Sequence, residues 1–567
     1  MVDRLAKIEA RLVAFERRLN ALEDARGRQD VEPDAEIAGL ATAALGEESV
    51  STAATYLGRV LLIFGGAYLL RAITDFGFLP TQAGIPLGAT YALLWLYMAY
   101  RRGAIDDLRI SAMLYGGVSV LLCLPMLVEA VTRFELLSGP QSAIALILFC
   151  TLALAVAWRR NLRSLGWLTM AGGVLTAGVL LQASGSAVSF TVTLLILGLI
   201  SLWIVYLKHW HGLQWLGAVG ANLGAALLVV LSRHEQWDVD PAAAFVLAVA
   251  LWGAYLLSFA IRSHLHGQRP GLFEIAQGIF STAVAFGVAI YTGLVNPVFT
   301  AVFAGLALAF GIGSYALAFA TETRNARGRS FYFYSALALA LVIGGSALIL
   351  PLGTAAAIWS AMAVAMAWFS GRQDRVSLSL QSTSLLIAAG LASGAFAASF
   401  FALASDPAQA WPGLVASQLI VAVLAVVCLF IPVAQRSERW GKMAGLPQLL
   451  VLVLAVWVVG GQIVMILAPL IAGVPGADAD LGRLATLRTA VLAGSAVTLA
   501  FSSRHERWPE ARWLAYPVLV IVGAKLVIED FPNGRPLTLF MALGLVGGAL
   551  ILVSKLLPGR RMKTADA

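Results

Sequence analysis

About eighteen apolar runs, most close to twenty residues long, follow one another from residue 53 to residue 557. Their approximate spans are 53–74, 82–100, 108–130, 141–158, 164–183, 187–207, 213–231, 241–261, 272–293, 297–320, 331–350, 352–370, 377–403, 411–433, 445–472, 485–502, 513–529 and 537–557. An α-helix rises 1.5 Å per residue and the hydrocarbon core of a bilayer is about 30 Å thick, so each run is of a length to cross it. The chain is 60% hydrophobic and 12% charged, where a soluble domain carries about 25% charged residues. A soluble fold of 567 residues would lack the polar surface to cover itself. The expected fold class is an all-α polytopic membrane protein of about eighteen transmembrane helices.

Loop charge alternates along the chain. The loops after even-numbered runs hold Arg101 and Arg102, then Arg159, Arg160 and Arg163, and the series continues through Lys208, Arg262, Arg324, Arg372 and Arg436 to Arg504 and Arg512. The loops after odd-numbered runs are nearly free of basic residues, with exceptions at Arg133, Arg233, Arg483, Arg488 and Arg535. Short loops rich in Lys and Arg stay on the cytoplasmic side, so both termini are expected there. The net charge of +8 is read as this topological signal, and no nucleic-acid partner is expected. The basic loops recur every fifty to seventy residues, which makes a helical hairpin the repeated unit. No loop exceeds about fifteen residues, so the loops leave no room for a separate catalytic domain.

Ahead of the first run, Met1, Leu5, Ile8, Leu12, Phe15, Leu19 and Leu22 recur at intervals of four and three. That is the a/d seam of a coiled coil over about three heptads. Residues 1–25 are expected to form a cytoplasmic coiled coil, with homo-oligomerisation through residues 1–24. Residues 26–50 are polar and aperiodic and read as a flexible tether. Residues 51–558 are the polytopic domain and 559–567 a cytoplasmic tail.

Cys123, Cys150 and Cys428 all lie inside apolar runs and read as small buried hydrophobes. The pairs His209 with His211 and His264 with His266 fall in short loops and lack further ligands nearby; no metal or cofactor is expected. Gly220 with Gly224, and Gly544 with Gly548, have the GxxxG spacing that marks close helix contacts. P-loop, GxSxG and HExxH patterns do not occur in the sequence, which removes the usual ATPase, serine hydrolase and zincin readings.

Three stretches carry a family resemblance. They are "YLGRVLLIFGGAYLLRAITDFGFLP" at the first run, "LALAVAWRRNLRSLGWLTMAGGVLTAGVLL" at residues 152–181, and the C-terminal "AKLVIEDFPNGRPLTLFMALGLVGGALILVSKLL". With these, the chain resembles the bacterial membrane proteins grouped as domain of unknown function 2339. The resemblance implies many spans behind an N-terminal coiled coil, in a bacterial inner membrane. It implies no activity.

Charges inside or beside spans are expensive and are the first place to look for a site. In the expected orientation Arg71, Glu129, Arg133, Lys525, Glu529 and Asp530 collect on the periplasmic side, either as an ion-pair lattice that fixes helix packing or as a ligand-binding cluster. Lys525 and Glu529 are four apart, as are Glu129 and Arg133, so each pair shares a helix face. Lys525 is also expected within snorkelling reach of the interface. The cationic members suit a phosphate or carboxylate; no catalytic residue is assigned. Membrane lipids are the expected partners. The leading function is a transporter, flippase or assembly factor for an envelope lipid or glycan. The alternatives are a non-catalytic oligomeric scaffold and a glycosyltransferase using a lipid-linked donor. The short first periplasmic loop, "TDFGFLPTQAG", weighs against the last.

Overall fold

The computed structural model describes residues 80–557, apart from 209, 235–236, 238, 266, 269, 325–328, 405–412, 432–444, 474–479 and 506–507, together with 58, 61–63, 65–66 and 76. The expected coiled coil, the tether, Arg71 and the C-terminal tail lie outside the described residues. Among the described residues every regular element is helical.

The helices are α1 (Thr81–Arg102), α2 (Arg109–Thr132), α3 (Gly139–Arg160), α4 (Arg163–Ser184), α5 (Ala187–Lys208), α6 (Leu213–Leu231), α7 (Pro241–Leu265), α8 (Leu272–Gly293) and α9 (Pro297–Arg324). They continue as α10 (Arg329–Ile349), α11 (Leu352–Gln373), α12 (Val376–Ala392), α13 (Ala395–Ala404), α14 (Ala416–Phe430), α15 (Leu446–Ile471), α16 (Leu481–Ser502), α17 (Ala511–Asn533) and α18 (Pro536–Leu556). Fourteen of them are long and apolar enough to cross a membrane. The other four expected spans do not meet that standard as single helices. The run at 53–74 lies mostly outside the described residues. α1 has the length but falls outside the apolar set, α14 has only 15 residues, and the run at 377–403 is two helices, α12 and α13, bent by 70°.

The chain divides into two compact units, one of residues 1–224 with 234–239 and one of 225–233 with 240–567. In the first, α1 packs on α2, and α2 to α5 pack mainly on their sequence neighbours and next-but-one neighbours. In the second, the closest associations are α9 with α10, α11 with α12, α16 with α17 and α16 with α18. Helices joined by basic loops, such as α9–α10 and α11–α12, pack most extensively. Those joined on the other side, such as α10–α11 and α17–α18, touch little. The hairpin unit inferred from loop charge is therefore also a packing unit in these pairs.

Local sequence explains where the helices begin and end. Ser138 opens α3 with a capping box, its backbone N–H donating to Gln141 Oε1 at 3.0 Å. α3 closes at Asn161 and α11 at Asp374, both left-handed with φ of 56° and 51°, a conformation that Asn and Asp tolerate better than most. At the end of α7, Arg262 pairs with Glu274 in the first turn of α8, and Glu274 Oε2 accepts from the Gly271 N–H at 2.8 Å. That ties the basic loop shut.

The bend between α12 and α13 sits at Ser393 and Gly394, where Gly394 has φ of 71°. Glycine enters this region without steric cost. The freed backbone finds partners. Gln418 of α14 donates to the Ser393 carbonyl at 3.4 Å, and Ser393 Oγ accepts from the Ala395 N–H at 3.3 Å. Backbone freed from a helix and shielded from water must be satisfied in this way.

The GxxxG expectation holds at one pair and fails at the other. A methyl group built on Gly220 would lie 3.2 Å from Val174, and one on Gly224 3.0 Å from Leu194. At Gly544 and Gly548 nothing lies within 4 Å, because the buried residues of α18 are confined to Ala542, Ala549 and Val553. The tight approach in the second unit is at Gly461 of α15 instead. There an added Cβ would meet the Cα of Ser399 on α13 at 2.5 Å.

Candidate functional site

α16 and α17 run antiparallel through the second unit and hold four charges between them, Arg488 and Asp530 buried, Lys525 and Glu529 partly so. Asp480 caps α16, its side chain accepting from the Arg483 N–H at 3.2 Å, so the helix starts at Leu481. Arg488 is therefore seven residues inside it, about 10 Å along the axis. The sequence reading begins this span at residue 485 and assigns Arg488 to the preceding loop; the cap at Asp480 moves the start four residues earlier. Arg488 is among the largest fully buried side chains in the protein.

A buried guanidinium needs its donors matched. Arg488 Nη1 donates to Glu529 Oε1 at 2.8 Å, Nε to the Ala402 carbonyl at 2.7 Å and Nη2 to the Phe401 carbonyl at 3.2 Å. The two carbonyls belong to the last turn of α13, where helical C=O groups lack intrahelical partners and the helix dipole is negative. The bent pair α12–α13 thus ends on a buried cation.

Lys525, Glu529 and Asp530 come from α17. Lys525 Nζ donates to Asp530 Oδ2 at 2.9 Å, to Thr489 Oγ1 at 2.9 Å and to the Ala485 carbonyl at 2.8 Å, and lies 3.3 Å from Glu529 Oε2. Thr489 Oγ1 in turn donates to Asp530 Oδ2 at 2.8 Å. Glu529 bridges both cations, one oxygen on Arg488 and the other on Lys525. Asp530 Oδ1 is buried without a hydrogen-bond partner among the described residues. The ammonium is thus held in the helix interface and does not snorkel outward. The residues that face out from this stretch are Val527, Ile528 and Phe531.

Backbone geometry makes the arrangement possible. Residues Leu526–Asp530 form a π turn. At 3.6 residues per turn, residue i+5 lies about 140° round an α-helix from residue i. A π turn closes i to i+5 and brings that residue back over the first. Both Glu529 and Asp530 then face Lys525.

Outside this layer sits a second, exposed one. Asp480 Oδ2 lies 3.6 Å from both Arg483 and Arg535. Close packing of α16 on the chain before α18 holds it in place, since a Cβ on Gly482 would meet the Asn533 carbonyl at 3.1 Å.

Of the six expected site residues, the structure brings together Lys525, Glu529 and Asp530. Glu129 and Arg133 belong to the first unit, at the end of α2. There the Arg133 N–H donates to the Glu129 carbonyl at 2.9 Å, and the guanidinium lies 5.2 Å from the Phe134 ring. Arg71 lies outside the described residues. Thr489 and the α13 carbonyls were not anticipated. In the sequence Arg488 stands among the loop charges, and the signal for its depth is the capping residue Asp480.

A family model described as "Predicted membrane protein (DUF2339)" matches residues 52–562. The chain belongs to this family. The match covers both units and every residue of the α16–α17 network. No curated protein and no solved structure matches the chain. Membership of the domain of unknown function 2339 family therefore fixes the chain as a multi-span membrane protein.

Proposed function

We propose that the chain is a transporter, flippase or assembly factor for an envelope lipid or glycan of the bacterial inner membrane, with both termini cytoplasmic and the α16–α17 network as its polar site. The observation that carries this is the position of Glu529. It bridges Arg488 and Lys525, and its side chain is the more exposed of the two acids, at 15% against 2% for Asp530. A phosphate or carboxylate entering from the Arg483 and Arg535 layer would compete with Glu529 for the two cations. Arg488 would stay aimed throughout, because α13 carbonyls hold its other nitrogens. Discontinuous helices whose ends meet a buried charge are a recurrent way to build midplane transport sites, and α12–α13 has that form by analogy. Energetics support a purpose beyond cohesion. A buried ion network is often no more stabilising than apolar side chains of the same volume.

A scaffold is the second reading. It is favoured by the balance of the network, in which two cations and two anions already satisfy one another. Association through residues 1–24 belongs to it, and Leu12→Asp would abolish crosslinked oligomers in membranes if that seam is used.

The deciding experiment pairs Lys525→Met with Glu529→Gln. Thermal stability of the purified double variant and complementation of a deletion strain are measured side by side. Recovery of stability without complementation supports the site. Recovery of both makes the network structural and rejects the transport reading.

A further inference from the structure

A second feature of α16 lies on a different face from the ion network. α14, α15 and α16 enclose a side-open groove of about 640 Å³. It runs from Leu452 to Leu467 along α15 and from Leu487 to Ser502 along α16, with Trp508 lining it near the end of α16. Fifteen residues of helix make it about 22 Å long. Its wall is mostly aliphatic. The Ser495 hydroxyl donates to the Val491 carbonyl and the Thr498 hydroxyl to the Gly494 carbonyl, both at 2.8 Å, so neither offers its proton to an occupant.

Shape and lining point to the occupant. About 640 Å³ spread over about 22 Å is a narrow, elongated space. An extended hydrocarbon chain matches its length and its apolar wall. At the Trp508 end the ring is fixed by Nε1 donating to the Leu429 carbonyl at 3.0 Å and by an edge contact with Phe430. Trp at the end of a span marks the headgroup level. The loop that carries Trp508 also carries the exposed Arg504, and the exposed Arg512 stands in the first turn of α17 just after it. Glu510, which precedes α17, is buried.

We propose that this groove binds one acyl chain of an anionic phospholipid from the surrounding leaflet, with the phosphate at the Arg504 end. The site stands independently of the ion network. The test uses full-length protein in nanodiscs containing a phosphatidylglycerol with a diazirine in its acyl chain, with crosslinked peptides mapped by mass spectrometry. Labelling is expected on the groove faces of α15 and α16. Gly494 lines the groove, and a Cβ there meets nothing within 4 Å, so Gly494→Phe directs its ring into the groove with no clash at the branch point. It is expected to cut labelling tenfold or more, the change given by about 1.4 kcal/mol. Gly460→Leu is a second filling variant, since its Cβ makes only an ordinary 3.6 Å contact with Val491. Gly544→Phe, on α18, is the control and should label as wild type. Arg504→Gln with Arg512→Gln should lower labelling by phosphatidylglycerol but not by a phosphatidylcholine probe. Unchanged labelling in folded Gly494→Phe and Gly460→Leu overturns the proposal. So does equal labelling by the two probes in wild type.

Discussion

Lys525 and Asp530 are five residues apart on one helix, yet their charged atoms lie 2.9 Å from each other. A regular α-helix would turn Asp530 away from Lys525. The π turn over Leu526–Asp530 undoes that rotation and lets two consecutive acids share one lysine. π turns of this kind are rare and occur frequently at functional sites.

Lys525→Met removes one cation from a group of four and leaves Glu529 and Asp530 with Arg488 alone. Breaking a buried pair costs about 3–5 kcal/mol, and the loss should appear in thermal or denaturant unfolding in detergent. Adding Asp530→Asn should restore part of it, and more than Glu529→Gln restores, because Asp530 is the more buried acid. An unchanged midpoint for Lys525→Met would show that the ammonium contributes nothing to the fold.

Thr489 stands between the ions, accepting from Lys525 and donating to Asp530. Thr489→Val keeps the shape and removes both bonds, leaving buried groups less satisfied at a cost of about 1–3 kcal/mol. Thr489→Ser keeps the hydroxyl and should lie close to wild type in the same assay. A loss in Thr489→Ser with none in Thr489→Val would mean that the methyl group, and not the hydrogen bonds, is what matters.

Gly461→Ala should destabilise by about 1–3 kcal/mol through overpacking, since the new methyl group would press on the Ser399 backbone. Gly544→Ala should be neutral, because that face is open. The comparison separates a glycine required by packing from one that merely has the spacing.

Alternating loop charge predicts topology. Reporter fusions after Arg160 and after Gln236 should report opposite compartments, the first of them cytoplasmic. The same compartment for both would break the even-span arrangement.

The helices were legible because run length alone identifies a spanning segment, and Lys525–Glu529 was legible because i, i+4 is a property of one helix. Arg488 was misplaced because its depth depends on where α16 starts, and that start is set by the polar cap at Asp480, ahead of the apolar run. The bend at Gly394 is marked in the sequence only by the Ser393–Gly394 pair within a long run, and the group that satisfies its backbone, Gln418, comes from another helix. Thr489 carries no signal in its own segment. It matters only because α16 meets α17 at that level, and a contact between helices leaves no periodicity in either one.

The charge balance of the network has an electrical consequence. A transmembrane potential does about 2.3 kcal/mol of work per elementary charge per 100 mV. Arg488, Lys525, Glu529 and Asp530 sum to zero when all four are ionised, so moving them together through the field does no net work. While the four move as a unit, voltage acts on this layer only when the balance changes, by protonation of an acid or by arrival of a charged guest. A current through the protein, or a voltage-dependent rate, would therefore count what is added to the four and not the four themselves.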